Sequence, residues 1–124
     1  MSQAVLAGIK IIELGQLIAG PFAAKMLGEF GAEVIKIEPP GTGDALRKWR
    51  MLHDGTSVWW QVQSRNKKSV SLDLREPEAR DIVRALVKDG VEWVKTYPTG
   101  DAASPDINDH HTLCMTFEEM HAVV

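Results

Sequence analysis

The chain has 124 residues, with 14 Lys+Arg against 17 Asp+Glu and a net charge of −3, which leaves room for one small domain. With 44% hydrophobic and 25% charged residues the composition is globular and excludes a disordered chain. No apolar run approaches the ~18 residues of a membrane span, and the acidic balance lacks the basic footprint of nonspecific nucleic-acid binding. Neither a membrane nor a nucleic-acid partner is therefore expected. Met1-Ser2-Gln3-Ala4 lacks the basic start of a secretory signal, so a cytoplasmic location is expected. One cysteine, Cys114, forbids an internal disulfide and agrees with a reducing compartment.

Ile9-Lys10-Ile11-Ile12-Glu13-Leu14 is β-branched, apolar and stopped by Gly15, which predicts a buried first strand. Pro21 suits the first position of a helix, where its missing N–H has no intrahelical partner. Phe22, Ala23, Met26, Leu27 and Phe30 recur at helical spacing, and Gly31 offers the left-handed residue that ends the helix. Glu33–Glu38 alternates as a second strand before Pro39-Pro40-Gly41 breaks it. About 28 residues without clear periodicity follow, a length typical of functional connections or of ones carrying short helices. Ser69–Leu74 reads as a third strand. Pro77 opens a second helix with Ala79, Ile82, Val83, Leu86 and Val87 as its apolar stripe, Gly90 closes it, and Val91–Val94 is a fourth strand. The prediction is an α/β fold, a Rossmann-like βαβ…βαβ parallel sheet over residues 1–95, followed by a divergent tail over 96–124.

Charge follows this division. Residues 44–75 sum to +4, while residues 101–124 hold five acids, no Lys or Arg, and sum to −5. A cationic middle can concentrate a phosphorylated ligand, or it is simply a solvated connection. The tail's Asp109, His110, His111, Cys114 and His121 lack the paired spacing of a zinc site, so no metal is expected.

The turn Gly15–Pro21 lies between a strand and a helix N-terminus, a place that suits an anion and equally suits plain turn chemistry. It is not a P-loop, because Pro21 and Phe22 stand where Lys and Ser/Thr would follow the second glycine. The nicotinamide-dinucleotide spacing also fails: Gly41-Thr42-Gly43 lacks its third glycine at Leu46. Trp49 within Arg47-Lys48-Trp49-Arg50, and Trp59-Trp60, fit an adenine-stacking role or the anchoring of the long connection to the core or to a partner subunit.

Three motifs in order resemble the N-terminal part of class III CoA-transferases, the family of formyl-CoA transferase, carnitine CoA-transferase and α-methylacyl-CoA racemase. They are Leu14-Gly15-Gln16-Leu17-Ile18-Ala19-Gly20-Pro21-Phe22, then Gly31 to Asp44 with its Ile37-Glu38-Pro39-Pro40-Gly41-Thr42-Gly43-Asp44 end, and Arg65-Asn66-Lys67-Lys68-Ser69-Val70-Ser71-Leu72-Asp73-Leu74. The resemblance implies a coenzyme A-binding domain with acyl-CoA as substrate, in subunits that interlock as dimers. It assigns CoA contacts to Ile18 and Ala19 after the first strand, and to Leu72, Asp73, Leu74 and Arg75 at the end of the third. Further nucleotide contacts fall on Thr96 and Tyr97, where the family's Glu-Asn-Phe-x-Pro-Gly run is replaced by Lys95-Thr96-Tyr97-Pro98-Thr99-Gly100. An arginine common after the second strand's glutamate is Pro39 here. The family's nucleophilic aspartate lies beyond the matched region, so no catalytic residue is assigned. The expected protein is a truncated class III CoA-transferase-like chain. Its parent reaction moves CoA between an acyl-CoA and a carboxylic acid. The alternatives are a non-catalytic CoA-binding or self-associating fragment, or a racemase-like remnant.

Overall fold

A computed structural model describes residues 4–91 and 93–95. In chain order, β1 (Lys10–Glu13), α1 (Ala19–Glu29) and β2 (Glu33–Glu38) make the first strand–helix–strand unit. The long connection is organised, as its length required. It carries a short 3₁₀ turn (Ala45–Lys48), a hairpin of β3 (Leu52–His53) and β4 (Thr56–Ser57), and α2 (Val58–Gln63). Ser57 caps α2 by accepting the Trp60 N–H. The second unit is β5 (Lys67–Ser71), α3 (Pro77–Lys88) and β6 (Trp93–Lys95).

The main sheet has the order β5-β2-β1-β6, and every neighbouring pair is parallel. The chain thus moves outward from β1 in one direction and returns to its other side, so the strand order reverses between β1 and β6. Such reversals are where open α/β sheets bind ligands, beyond the carboxyl ends of the strands.

β2 coincides with its expectation, and β1 is shorter than predicted by one residue at each end. β5 starts earlier than predicted and stops at Ser71. Leu72 still donates its N–H to the Glu38 carbonyl at 3.0 Å, but Asp73 then turns the chain. The Asp73 side chain accepts the Arg75 N–H at 3.1 Å, and its carbonyl accepts the Glu76 N–H at 2.9 Å, a local turn that competes with further strand. The predicted fourth strand is shifted toward the carboxyl side, starting two residues later.

Helix α1 crosses from β1 to β2, and α3 from β5 to β6. Pro21 occupies the third position of α1 rather than the first, still within the turn whose N–H groups lack helical partners. Gly31 (φ +100°) closes the helix as predicted, and a Cβ there would meet Ala4 Cβ at 2.4 Å. The buried face of α1 is a correction. Its sheet-facing residues are Gly20, Pro21, Ala24 and Gly28, whereas Phe22 is 50% and Phe30 54% exposed. Small residues win because the helix lies close to its neighbours: a Cβ on Gly28 would stand 3.3 Å from the Asn66 carbonyl oxygen. In α3 the predicted stripe holds for Ala79, Val83, Leu86 and Val87, while Ile82 faces outward.

Strand alternation and register divide the sheet into two unlike faces. Ile12, Ile37, Leu74, Ala79 and Val83 form an apolar core under α3, joined by Ile35, Val70 and Leu72. On the opposite face Ile11 and Val34 pack with Ala24 and Ala32 under α1. Toward the carboxyl ends that second face becomes ionic, with Glu13, Lys36 and Glu38 all buried. The predicted 96–124 tail lies outside the described residues.

Candidate functional site

The carboxyl edge of the sheet is built on two buried polar clusters. In the first, Lys36 Nζ lies 2.7 Å from Glu13 Oε1 and 2.7 Å from Asp44 Oδ2, and donates to the Gly15 carbonyl at 2.9 Å. Lys67 Nζ lies 2.7 Å from Glu13 Oε2 and donates to the Pro21 carbonyl at 2.7 Å. All four side chains are at most 3% exposed, so each charge keeps its place only because its neighbours compensate it. Burial pulls the Lys67 ammonium below its ordinary pKa, against the opposing pull of Glu13.

In the second cluster Glu38 accepts four hydrogen bonds. Arg47 donates from Nε at 2.7 Å and Nη2 at 2.8 Å, the Asp44 N–H at 2.8 Å and Ser69 Oγ at 2.6 Å. Burial opposes ionisation of Glu38, but these donors outweigh it and hold the carboxyl down at about 2. Glu38 occupies the strand-end position at which a dinucleotide-binding sheet reads a ribose hydroxyl. Here its lone pairs are already committed. Arg47 also lies 3.9 Å over the Trp60 ring, Arg50 lies 4.4 Å over Trp49, and Trp49 meets Trp59 edge to face at 5.7 Å. Trp49, Trp59 and Trp60 thus pack against one another and against Arg47 and Arg50 inside the connection.

Between these features opens a cleft of about 280 Å³, lined by Glu38, Arg47, Ser69, Ser71 and the Pro39–Gly43 turn. None of the described residues assigned to CoA lines it. Ile18 and Ala19 follow β1 and are exposed at the start of α1. Leu72, Asp73, Leu74 and Arg75 follow β5, on the other side of β2. Leu72 is half-buried and Leu74 is part of the α3 core, so the Leu74 side chain serves packing. Arg75 is exposed and grips Asp73 with two hydrogen bonds, at 2.8 and 2.6 Å, which holds the Asp73 carboxyl down at about 2. Thr96 and Tyr97 lie outside the described residues.

Sequence reasoning did not single out Glu13, Lys36, Asp44 or Lys67. A signal was present: a strand buried on both faces reads as near-continuous apolar sequence, and Lys10–Glu13 and Glu33–Glu38 are interrupted by charge at their carboxyl ends.

The family model for CoA-transferase family III matches residues 6–106. Succinyl-CoA–D-citramalate CoA-transferase of Chloroflexus aurantiacus is 51% identical over 83 residues, covering 66% of this chain and 21% of that protein. Human succinyl-CoA:glutarate CoA-transferase is 41% identical over 96 residues, covering 77% of this chain and 22% of that protein. The crystal structure of a CaiB/BaiF family protein from Brucella suis superposes with a TM-score of 0.66 at 34% identity, over 75% of this chain and 25% of that one. The chain therefore spans about a fifth to a quarter of the length of these relatives. By the extent of the family match, and by the agreement of fold with sequence, this chain belongs to CoA-transferase family III.

Proposed function

We propose that the carboxyl edge of the sheet binds the nucleotide portion of an acyl-CoA, and that this chain supplies the CoA-holding part of a reaction moving CoA between carboxylic acids. The observation that carries the reading is the pairing of two segments across the end of β2: exposed Ile18 and Ala19 on one side, Asp73 and Arg75 on the other. An exposed guanidinium at a strand end suits a phosphate, and two exposed apolar or small residues suit the flat or aliphatic parts of the ligand. In the parent chemistry an enzyme carboxylate attacks the thioester carbonyl and expels CoA as thiolate. The thiolate attacks the enzyme acyl carbon of the mixed anhydride and releases the donor acid, and the acceptor carboxylate then takes CoA from the resulting enzyme thioester by the reverse sequence. No residue of this chain is assigned as that nucleophile.

The test is a titration of the protein with CoA, read by tryptophan fluorescence. Saturable quenching is expected, and its absence at millimolar CoA ends the reading. Arg75→Ala is expected to weaken binding by removing a charge-assisted hydrogen bond to the ligand. Asp73→Asn works in the opposite direction. It removes the carboxylate that competes for Arg75, and it is expected to tighten binding slightly.

A self-associating reading draws on a separate observation, the large apolar side chains left at the surface of α1 and α2: Phe22, Phe30, Trp59 and Val62 are each at least 40% exposed. We propose that a second copy covers them. Sedimentation at micromolar protein is expected to give a dimer, and a clean monomer refutes it.

A further inference from the structure

We infer that Asp44 is the positioning residue of the acyl-CoA turn: its buried carboxylate fixes the Gly15–Ile18 backbone so that Ile18 and Ala19 are presented in one geometry. The inference rests on the acyl-CoA reading above and names the residue that makes that edge a formed site.

Asp44 is 1% exposed and lies 27 positions from the turn it touches. Its Oδ1 accepts the Leu17 N–H at 3.0 Å and the Leu46 N–H at 2.8 Å, while Oδ2 faces Lys36 Nζ at 2.7 Å. The same ammonium takes the Gly15 carbonyl at 2.9 Å. The turn is thus held twice, by a cation on its carbonyl and an anion on its N–H, and those two groups form an ion pair with each other.

Leu17 needs such a hold. Its φ is +63°, a left-handed conformation that is unfavourable for leucine and kept only where surrounding contacts over-determine it. The turn closes so tightly that a Cβ on Gly20 would stand 2.9 Å from Gly15 Cα. The backbone at Gly15 and Gly20 is therefore in contact, and the path between them has little freedom once Leu17 is fixed. A formed turn spares the ligand the cost of ordering it.

Asp44 also caps the 3₁₀ turn through Leu46, so a purely structural role has to be separated from positioning. Two variants do this. Asp44→Asn keeps an oxygen that can accept from both Leu17 and Leu46. Asp44→Ser keeps a capping oxygen for Leu46, but its hydroxyl sits one bond closer to the backbone and cannot reach Leu17. The experiment measures CoA affinity by titration and Leu17 amide hydrogen exchange in the full chain. Both variants remove the anion facing Lys36, so they are compared with each other: Asp44→Ser is expected to bind CoA about tenfold more weakly than Asp44→Asn, with faster exchange at Leu17. Equal affinities for the two variants overturn the inference, whether both are strong or both are weak. The parent chain supplies a check that needs no variant: its Leu17 N–H is expected to exchange at least about tenfold more slowly than those of Gln16 and Ile18, and equal rates overturn the inference. A parent chain that shows no saturable CoA binding overturns the acyl-CoA reading and this inference with it. That failure is recognised from the parent titration alone, before any variant is compared.

Discussion

The two faces of the sheet are stabilised by different physics. Under α3, Ile12, Ile37, Leu74, Ala79 and Val83 exclude water with no polar side chain among them. Hydrophobic burial is non-directional, so that face holds α3 in place but specifies little about any one backbone atom. On the opposite face, beyond the small apolar patch of Ile11 and Val34, Glu13, Lys36, Glu38 and Lys67 meet Asp44 and Arg47 from the long connection. Charge burial is expensive and seldom adds net stability, but its hydrogen bonds have direction. They reach the Gly15 carbonyl, the Leu17 N–H and the Pro21 carbonyl, the backbone of the turn that opens α1. The lesson is that this chain packs for stability on one face and uses charge to fix backbone at the carboxyl edge of the other.

Lys36→Met tests the contrast most severely. It leaves Glu13 with Lys67 but strips Asp44 of its cation, and about 3–5 kcal/mol of stability is expected to be lost in a urea titration. A variant as stable as the parent would erase the distinction between the faces. Ile12→Ala probes the apolar side. Removing a fully buried side chain there is expected to cost about 2–4 kcal/mol while leaving the Gly15–Ile18 turn and CoA affinity unchanged. Loss of affinity in proportion to stability would instead couple the two faces.

Glu38→Gln sharpens the comparison by pH. The Glu38 carboxyl ionises at about 2 in the folded chain against its ordinary 4.5. The folded state therefore prefers the carboxylate, so its contribution is complete above 4.5 and fades as pH falls toward 2. Glu38→Gln is expected to flatten the stability profile across that window in thermal melts, whereas Ile12→Ala lowers the profile without changing its slope.

Much of the fold was legible because its signals are local. Apolar β-branched runs located β1 and β2, Gly31 and Gly90 marked helix ends with left-handed backbone, and Pro77 opened α3. The length of the 41–68 connection announced structure of its own. The errors came where local pattern competed with packing. Phe22 and Phe30 have the spacing of a core stripe, yet α1 turns its glycines and alanine inward because the helix approaches too closely for larger residues. The end of β5 was misplaced because the Asp73 side chain offers the backbone a turn.

The candidate site was legible in part. Motif resemblance assigned two segments, Ile18–Ala19 and Leu72–Arg75, but gave no sign of the buried charges at the carboxyl edge. Glu13, Lys36 and Asp44 are 8 to 31 positions apart in sequence, and no local rule predicts that a strand lysine will find one carboxylate on the next strand and another on a loop.

By itself the sequence determined the parallel strand–helix alternation and the family, since periodicity, glycine placement and motif order are properties of neighbouring residues. Only the tertiary structure decided which charges are buried together and which face of α1 is exposed. Coulombic pairing and close packing depend on distance in space, and that distance is set only when β2 is laid between β1 and β5.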